Sequence, residues 1–339
     1  MIEKPDIRDE RIISALREHY SIPVVGVEFL PIGNDPSAWA YRVSTETPDV
    51  YFLKIRKEIS NRAGFLLSRF LQDHGIEQAL APLPTKSYEL WTRVEDFFFI
   101  LYPFVTGMEA METGMSDSQW TEFGSVLKRI HLTELPSAIL QYLRRETFIP
   151  NWSHLARELH KRIHMQAFHD PYEKELASFW MEKNEEIEIV IERTERIGRY
   201  LRQADLEFVL CHADIHTANI LITPEQDMVI VDWDDTLLAP KERDLMFVLS
   251  GAAFQTREER LFLEGYGNVT TNQLALAYYR YEWCLQEIGD FGQRVFLTKD
   301  LGEGTRQNSV EGFMRLFSPG DVIEAAFGTA FESEIRNTP

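Results

Sequence analysis

Three oxygen-bearing side chains stand out by type and spacing. Asp214 and Asn219 lie five positions apart in the stretch His212-Ala213-Asp214-Ile215-His216-Thr217-Ala218-Asn219, and Asp232 follows 18 positions after Asp214. The stretch falls between two apolar runs, and Asp232 comes directly after Met228-Val229-Ile230-Val231. A polar loop held by strands is a common place for chemistry. Asn219 and Asp232 offer hard oxygen ligands of the kind Mg2+ takes, while Asp214 can orient a hydroxyl. Phosphoryl transfer makes these demands. The moving group is strongly anionic, so a cation must neutralise it, and the nucleophile must be held in line. Orientation is then the main task of Asp214, because positioning alone can remove several kcal/mol of barrier.

Taken singly, each residue has a plainer reading. Asp214 could cap a turn, Asn219 could occupy a left-handed turn, and Asp232 could end a strand. Order and intervals favour the chemical reading: His212, Asp214 and Asn219 fit the H-x-D-x-x-x-x-N loop of protein kinases. Asp232 stands where kinases place the carboxylate that bridges metal to phosphates. A metallohydrolase is the rival from another class, since His212, Asp214 and His216 alternate along the chain and could face one metal.

The elements that must position these groups can be read from periodicity. Ile12, Ile13 and Leu16 predict a short amphipathic helix over residues 9–19. Runs at 26–30, 38–44 and 50–56 predict a meander of strands, followed by a helix over about 60–74 ending at Gly75. Residues 88–94 and 97–104 flank Glu95-Asp96 as a hairpin. Lys54 falls in the third strand among apolar neighbours, facing either a cleft or, as an edge lysine, water. Beyond a boundary near Thr106-Gly107 the pattern becomes mainly helical. Ser116 and Gln119 form a capping box ahead of Trp120, Phe123, Leu127 and Ile130. Residues 171–204 predict one or two long half-exposed helices, and 274–288 a further one. Short strands are expected at 208–211, 220–223 and 228–231.

Composition narrows the partners. A chain of 339 residues that is 44% hydrophobic can fill a sizeable core. Its net charge of −19 repels nucleic acid and anionic membranes. The acidity is either an ordinary soluble surface or, in part, the lining of a cleft for a cationic substrate. The longest apolar run, 97–105, contains Pro103 and is far short of the roughly 20 residues of a membrane span. The opening Met1-Ile2-Glu3-Lys4-Pro5-Asp6 reads as neither a secretory nor a transit signal. Two cysteines, Cys211 and Cys284, are too few for a disulfide framework, which fits a reducing cytoplasm.

At this point the chain resembles the aminoglycoside phosphotransferase family. The resemblance rests on Val209-Leu210-Cys211-His212-Ala213-Asp214-Ile215-His216 with Asn219, on Ile230-Val231-Asp232-Trp233-Asp234, and on the string from Leu238 to Phe247. Weaker similarity runs through Ala38-Trp39-Ala40-Tyr41, Tyr102-Pro103-Phe104 and Tyr278-Tyr279-Arg280, so it covers nearly the whole chain. It implies an α+β, bilobal protein-kinase-like fold. Residues 1–105 would be a β-rich nucleotide-binding lobe with its hinge, and 106–339 a larger, mainly helical catalytic and substrate lobe. It also implies ATP and Mg2+ as cofactors, Asp214 as the catalytic aspartate, Asn219 and Asp232 as metal ligands, and Lys54 as the phosphate-binding lysine. Gly33, Asn34 and Ser37 of the loop 32–37 would cover the phosphates, although an ordinary hairpin loop explains them equally well and the G-x-G-x-x-G of protein kinases is lacking. Tyr102, Phe104 and Val105 would form the hinge around adenine, or simply a buried strand end.

The expected acceptor is a small cationic hydroxyl compound, an aminoglycoside or an aminocyclitol such as spectinomycin, whose modification confers antibiotic resistance. Candidate groups for its amines are Asp234 and Asp235 beside the metal site, and Glu282, Glu287, Tyr278 and Trp283 on one helix. Tyr278 at that spacing also reads as core and the glutamates as solvated. Metabolic kinases of choline, homoserine or methylthioribose share the same elements and stay open as alternatives. One departure from the family is plain: the helix position expected to pair with Lys54 by a glutamate holds Arg62, and Glu58 falls before that helix. Either Lys54 finds another carboxylate or the helix is arranged differently. A pseudokinase is the reading that follows if it finds none.

Overall fold

The computed structural model describes residues 4–32, 37–59, 61–249, 256–299 and 301–329. The expected phosphate-covering residues Gly33 and Asn34 lie outside them. Two compact units are present, one of Met1–Arg144, Leu210–Leu238 and Leu261–Gly267, the other of Arg145–Val209, Ala239–Arg260 and Asn268–Pro339.

The first unit begins with helix α1 (Asp9–Tyr20) and strands β1 (Val24–Leu30), β2 (Ala38–Thr45) and β3 (Val50–Arg56). Helix α2 (Ala63–Asp73) follows, then β4 (Thr92–Val94) and β5 (Phe97–Pro103). The five strands pair antiparallel in the order β1-β2-β3-β5-β4. Alternation along β3 sorts its two faces. Leu53 and Ile55 are fully buried with Ile12, Leu16, Tyr41, Val43, Phe99 and Leu101, beneath α1. Each such side chain contributes about 1.5–3 kcal/mol by leaving water. Lys54 and Arg56 must therefore point to the opposite face. There Lys54 pairs across the sheet with Ile100, which packs against Phe65 of α2.

Strand β4 is shorter than its apolar pattern suggested. Tyr88 adopts φ +63° and its amide donates to the Thr85 carbonyl at 2.9 Å, so residues 85–89 close a turn instead of extending the hairpin. A second sheet of the same unit joins β6 (Met108–Glu109), β7 (Ile220–Ile222) and β8 (Met228–Ile230) in the order β8-β7-β6. Helix α3 (Asp117–His131) carries the expected capping box, with Ser116 and Gln119 satisfying each other's backbone amides. Gly124 of α3 lies so close to Phe262 that a Cβ there would stand 2.0 Å from the Phe262 carbonyl oxygen.

The second unit is helical, with α4 (Ser153–Met165), α5 (Pro171–Glu182), α6 (Asn184–Leu201), α7 (Gln273–Phe296) and α8 (Glu303–Arg315). The charged stretch 171–204 is two helices, the first capped by Asp170, whose carboxylate accepts from the Tyr172 and Glu173 amides. Helix α7 is longer than 274–288 because Asn272 caps it and its apolar face continues through Ile288, Val295 and Phe296.

Candidate active site

The loop after Cys211 turns sharply. Ala213 has φ +74°, which brings the Asp214 amide back onto Nδ1 of His212 at 3.3 Å. The His212 ring is fully buried, and its Nε2 lies 3.0 Å from the Val231 carbonyl. Because Nδ1 accepts, Nε2 carries the proton and donates. Asn219 closes the loop. Its side-chain amide nitrogen donates to the Asp214 carbonyl at 2.7 Å and to the Asp214 carboxylate at 3.0 Å. The Val231 amide donates to the Asn219 carbonyl at 3.0 Å, so the loop and the end of β8 are tied together.

Asp232 then takes a left-handed conformation, φ 59° and ψ 69°. Across the first sheet's α2 face, Lys54 Nζ lies 2.8 Å from Asp234 and 3.5 Å from Asp232, and Arg56 lies 2.5 Å from the same Asp234 oxygen. Burial would depress the Lys54 ammonium, yet Asp232 and Asp234 outweigh it and raise its pKa, so the cation persists. For Asp234 burial pushes upward, and Lys54 with Arg56 overcomes it to hold the carboxyl below the usual carboxylate range. Burial, followed by the charges of Asp234 and Asp232, lifts the Tyr102 phenol well above its ordinary value.

A cavity of about 260 Å³ is lined by Arg56, Asn61, Arg144, Asp214, Asp232, Asp234 and Asp235. Arg144 contacts the Asp235 carboxylate at 3.3 Å. The donor set fits a hard divalent cation: with the Asn219 nitrogen committed to Asp214, its carbonyl oxygen is the atom left to coordinate, beside the Asp232 carboxylate. A metal held there would neutralise phosphate oxygens.

Lys54, Asp214, Asn219 and Asp232 thus come together in the first unit. Asp234 is drawn in as well, but in another role than that expected of it, because its carboxylate is engaged by Lys54 and Arg56 rather than offered to a substrate amine. It is the carboxylate that Lys54 lacked on its helix. Arg62 instead stacks on Trp91, with its guanidinium 5.5 Å from the ring centroid. Tyr102 pairs with the ring of Phe52, Phe104 lies under the Arg42 guanidinium, and Val105 is half-buried. Ser37 is half-buried at the start of β2, its carbonyl accepting from the Lys57 amide.

In the second unit, Glu282 is held by Arg243 at 3.2 Å, and Trp283 packs on Phe247. Glu287 is half-buried on the same helix. Tyr278, expected near a substrate, is 1% exposed and wedged against Phe148 and Tyr279, so it serves the core. The buried, hydrogen-bonded His212 ring also removes the hydrolase reading in which it shares a metal with Asp214 and His216. Arg56, Asn61 and Arg144 were not anticipated. Arg56 could have been, two residues from Lys54 on one strand face; Arg144 carries no local signal.

Residues 28–280 match the phosphotransferase enzyme family, APH. The chain belongs to that family. This phosphotransferase superposes on spectinomycin phosphotransferase, APH(9)-Ia, solved in complex with ADP and spectinomycin, with a TM-score of 0.88 and 32% identity. The match covers 96% of this chain and 99% of that one. The AMP-bound complex of the same enzyme gives a TM-score of 0.84 at 31% identity, covering 96% and 100%. Protein StrN of Streptomyces griseus is 26% identical over 282 residues, 79% of each chain. The fold is accordingly α+β and kinase-like. No described helix is long and apolar enough to cross a membrane.

Proposed function

We propose that this phosphotransferase moves the γ-phosphoryl group of Mg-ATP to a hydroxyl of a small cationic aminocyclitol of the spectinomycin kind, and so confers resistance to it. The observation that carries the reading is the cluster in which Asn219 clasps Asp214 while Lys54 stands over Asp232 and Asp234. In this reading Asp214 orients the acceptor hydroxyl and takes its proton, Asn219 and Asp232 hold Mg2+, and Lys54 engages the phosphates. The substrate class rests on similarity: a neighbour 32% identical over nearly the whole chain was solved with ADP and spectinomycin. Ser37, Tyr102, Phe104 and Val105 are assigned to the nucleotide, and Asp235, Glu282, Glu287 and Trp283 are candidates for the acceptor's amines. Residues 1–105 and 106–339 are the functional lobes, and a reducing cytoplasm, which supplies ATP, suits two buried cysteines that form no disulfide.

The test is ADP release with Mg-ATP and a panel of acceptors: aminocyclitols, aminoglycosides, choline, homoserine and methylthioribose. Aminocyclitol-dependent release, abolished by omitting Mg2+ and by Asp214→Asn, is expected. Turnover of choline or homoserine without any of an aminocyclitol would overturn the resistance reading. Zinc-dependent hydrolysis indifferent to ATP would overturn the kinase reading.

A further inference from the structure

The segment 232–236, which carries Asp232 and Asp234, is gripped by the start of α2 through contacts that involve no charge. Asn61 donates its side-chain amide to the Asp234 carbonyl at 2.8 Å and to the Thr236 carbonyl at 3.4 Å. Its own Oδ1 accepts the Ala63 amide at 3.0 Å, an Asx turn that sets the first turn of α2. One residue further, Gly64 lies directly on the segment: a Cβ at this position would stand 2.3 Å from the Trp233 carbonyl oxygen. Only a residue without a side chain permits that approach.

We propose that Asn61 and Gly64 are positioning residues that hold Asp232 and Asp234 in register with Lys54, replacing the lysine–glutamate ion pair that Arg62 denies to α2. The proposal rests on the phosphotransfer reading above. Its logic is geometric. Trp233 and Asp234 follow Asp232 directly, so displacing the Trp233 or Asp234 carbonyl rotates both neighbouring carboxylates. Lys54 is anchored separately in β3 by ladder hydrogen bonds on both sides. If α2 releases the segment, the cation stays and the carboxylates move.

Two substitutions separate positioning from simple stability. Asn61→Asp keeps the oxygen that makes the Asx turn but loses the donor to the Asp234 and Thr236 carbonyls. Gly64→Ala improves intrinsic helix propensity, so any harm it does must come from the Trp233 contact. Both variants are expected to lower kcat about tenfold, the scale of one lost well-placed hydrogen bond, with the acceptor KM within about twofold of wild type. They are also expected to weaken Mn2+ binding to the ADP complex, measured by titration, and to speed amide hydrogen exchange over residues 231–236 but not over β1–β3. Wild-type kcat, Mn2+ affinity and exchange in both variants would overturn the proposal. So would losses accompanied by global unfolding in Asn61→Asp, which would make Asn61 merely structural. Hydrogen exchange reads the clamp without turnover, so a wild-type protein that phosphorylates no acceptor would sink the functional reading while leaving the clamp separately decided.

Discussion

Removing the Lys54 ammonium should cripple nucleotide use far more than folding. In Lys54→Ala the cation disappears from a face where Asp234 keeps Arg56 at 2.5 Å, while Asp232 loses its contact at 3.5 Å. The 2.8 Å approach of Lys54 to Asp234 measures how closely this ammonium can meet an oxyanion. At an effective dielectric of about 20, a pair at that distance gains about 6 kcal/mol before desolvation. Desolvation cancels a large part, leaving about 3 kcal/mol as the cost of removing one partner of a buried pair. A loss of about 3 kcal/mol in transition-state binding is roughly a hundredfold fall in kcat/KM for ATP. The assay is ADP release at saturating Mg2+ and acceptor with ATP varied, beside a thermal melt. Folding should suffer less, because Arg56 still neutralises Asp234. A double-mutant cycle with Asp234→Asn should be non-additive, since both changes break one contact. A kcat/KM for ATP within threefold of wild type, or a defect falling wholly on the acceptor KM, would refute the assignment of Lys54 to the phosphates.

Three further outcomes follow from the same geometry. Asp214→Asn keeps the size of a side chain that Asn219 already holds, so kcat should drop about 10²- to 10⁴-fold with little change in melting temperature; a drop under tenfold would remove Asp214 from the chemistry. Asp170 caps α5 and pairs with both terminal nitrogens of Arg306, which, against the upward push of burial, hold its carboxyl below the usual range. A depressed carboxyl stabilises the fold above its unfolded pKa of about 3.9 and loses that contribution as pH falls through the lower folded value. Asp170→Asn should thus cost about 1–2 kcal/mol in chemical denaturation at pH 7, with the gap to wild type closing below about pH 4; a gap independent of pH would contradict the ion pair. Gly124→Ala forces a methyl against the Phe262 carbonyl and should destabilise by about 3 kcal/mol or more, read as a lowered melting temperature, although alanine favours helix elsewhere.

Much of the site was legible because its members lie close in sequence or share one strand face. Asp214, Asn219 and Asp232 sit at the ends of short apolar strands, and Lys54 alternates with Leu53 and Ile55. What was not legible depends on distant approach. The partnership of Lys54 with Asp234 spans 180 positions, and local pattern left Asp234 looking like a substrate carboxylate. Tyr278 misled in the opposite direction: an aromatic beside glutamates on one helix reads as a binding face until Phe148 is seen packed against it. Strand β4 failed to extend to residue 88 because a side-chain hydroxyl, Thr85, competes for the Glu89 amide and closes a turn.

Asp214 and Asp232 share one further constraint that explains the histidine in their motif. Ala213, immediately before Asp214, and Asp232 itself both adopt positive φ, a conformation that costs a residue with a Cβ about 1–2 kcal/mol. Such strain persists only where the surroundings over-determine it. His212 supplies that determination at both places. Its Nδ1 accepts the Asp214 amide across the Ala213 turn, and its Nε2 donates to the Val231 carbonyl at the entrance to the Asp232 turn. The ring is clamped in turn by Trp233, whose centroid lies 4.6 Å away. One buried imidazole therefore bridges the backbone before each aspartate and couples Asp214 to Asp232. A histidine is suited to this because its neutral ring offers an acceptor and a donor at two separate points on the edge of one rigid plane. The residue that looked like a metal ligand acts as the strut between two strained turns.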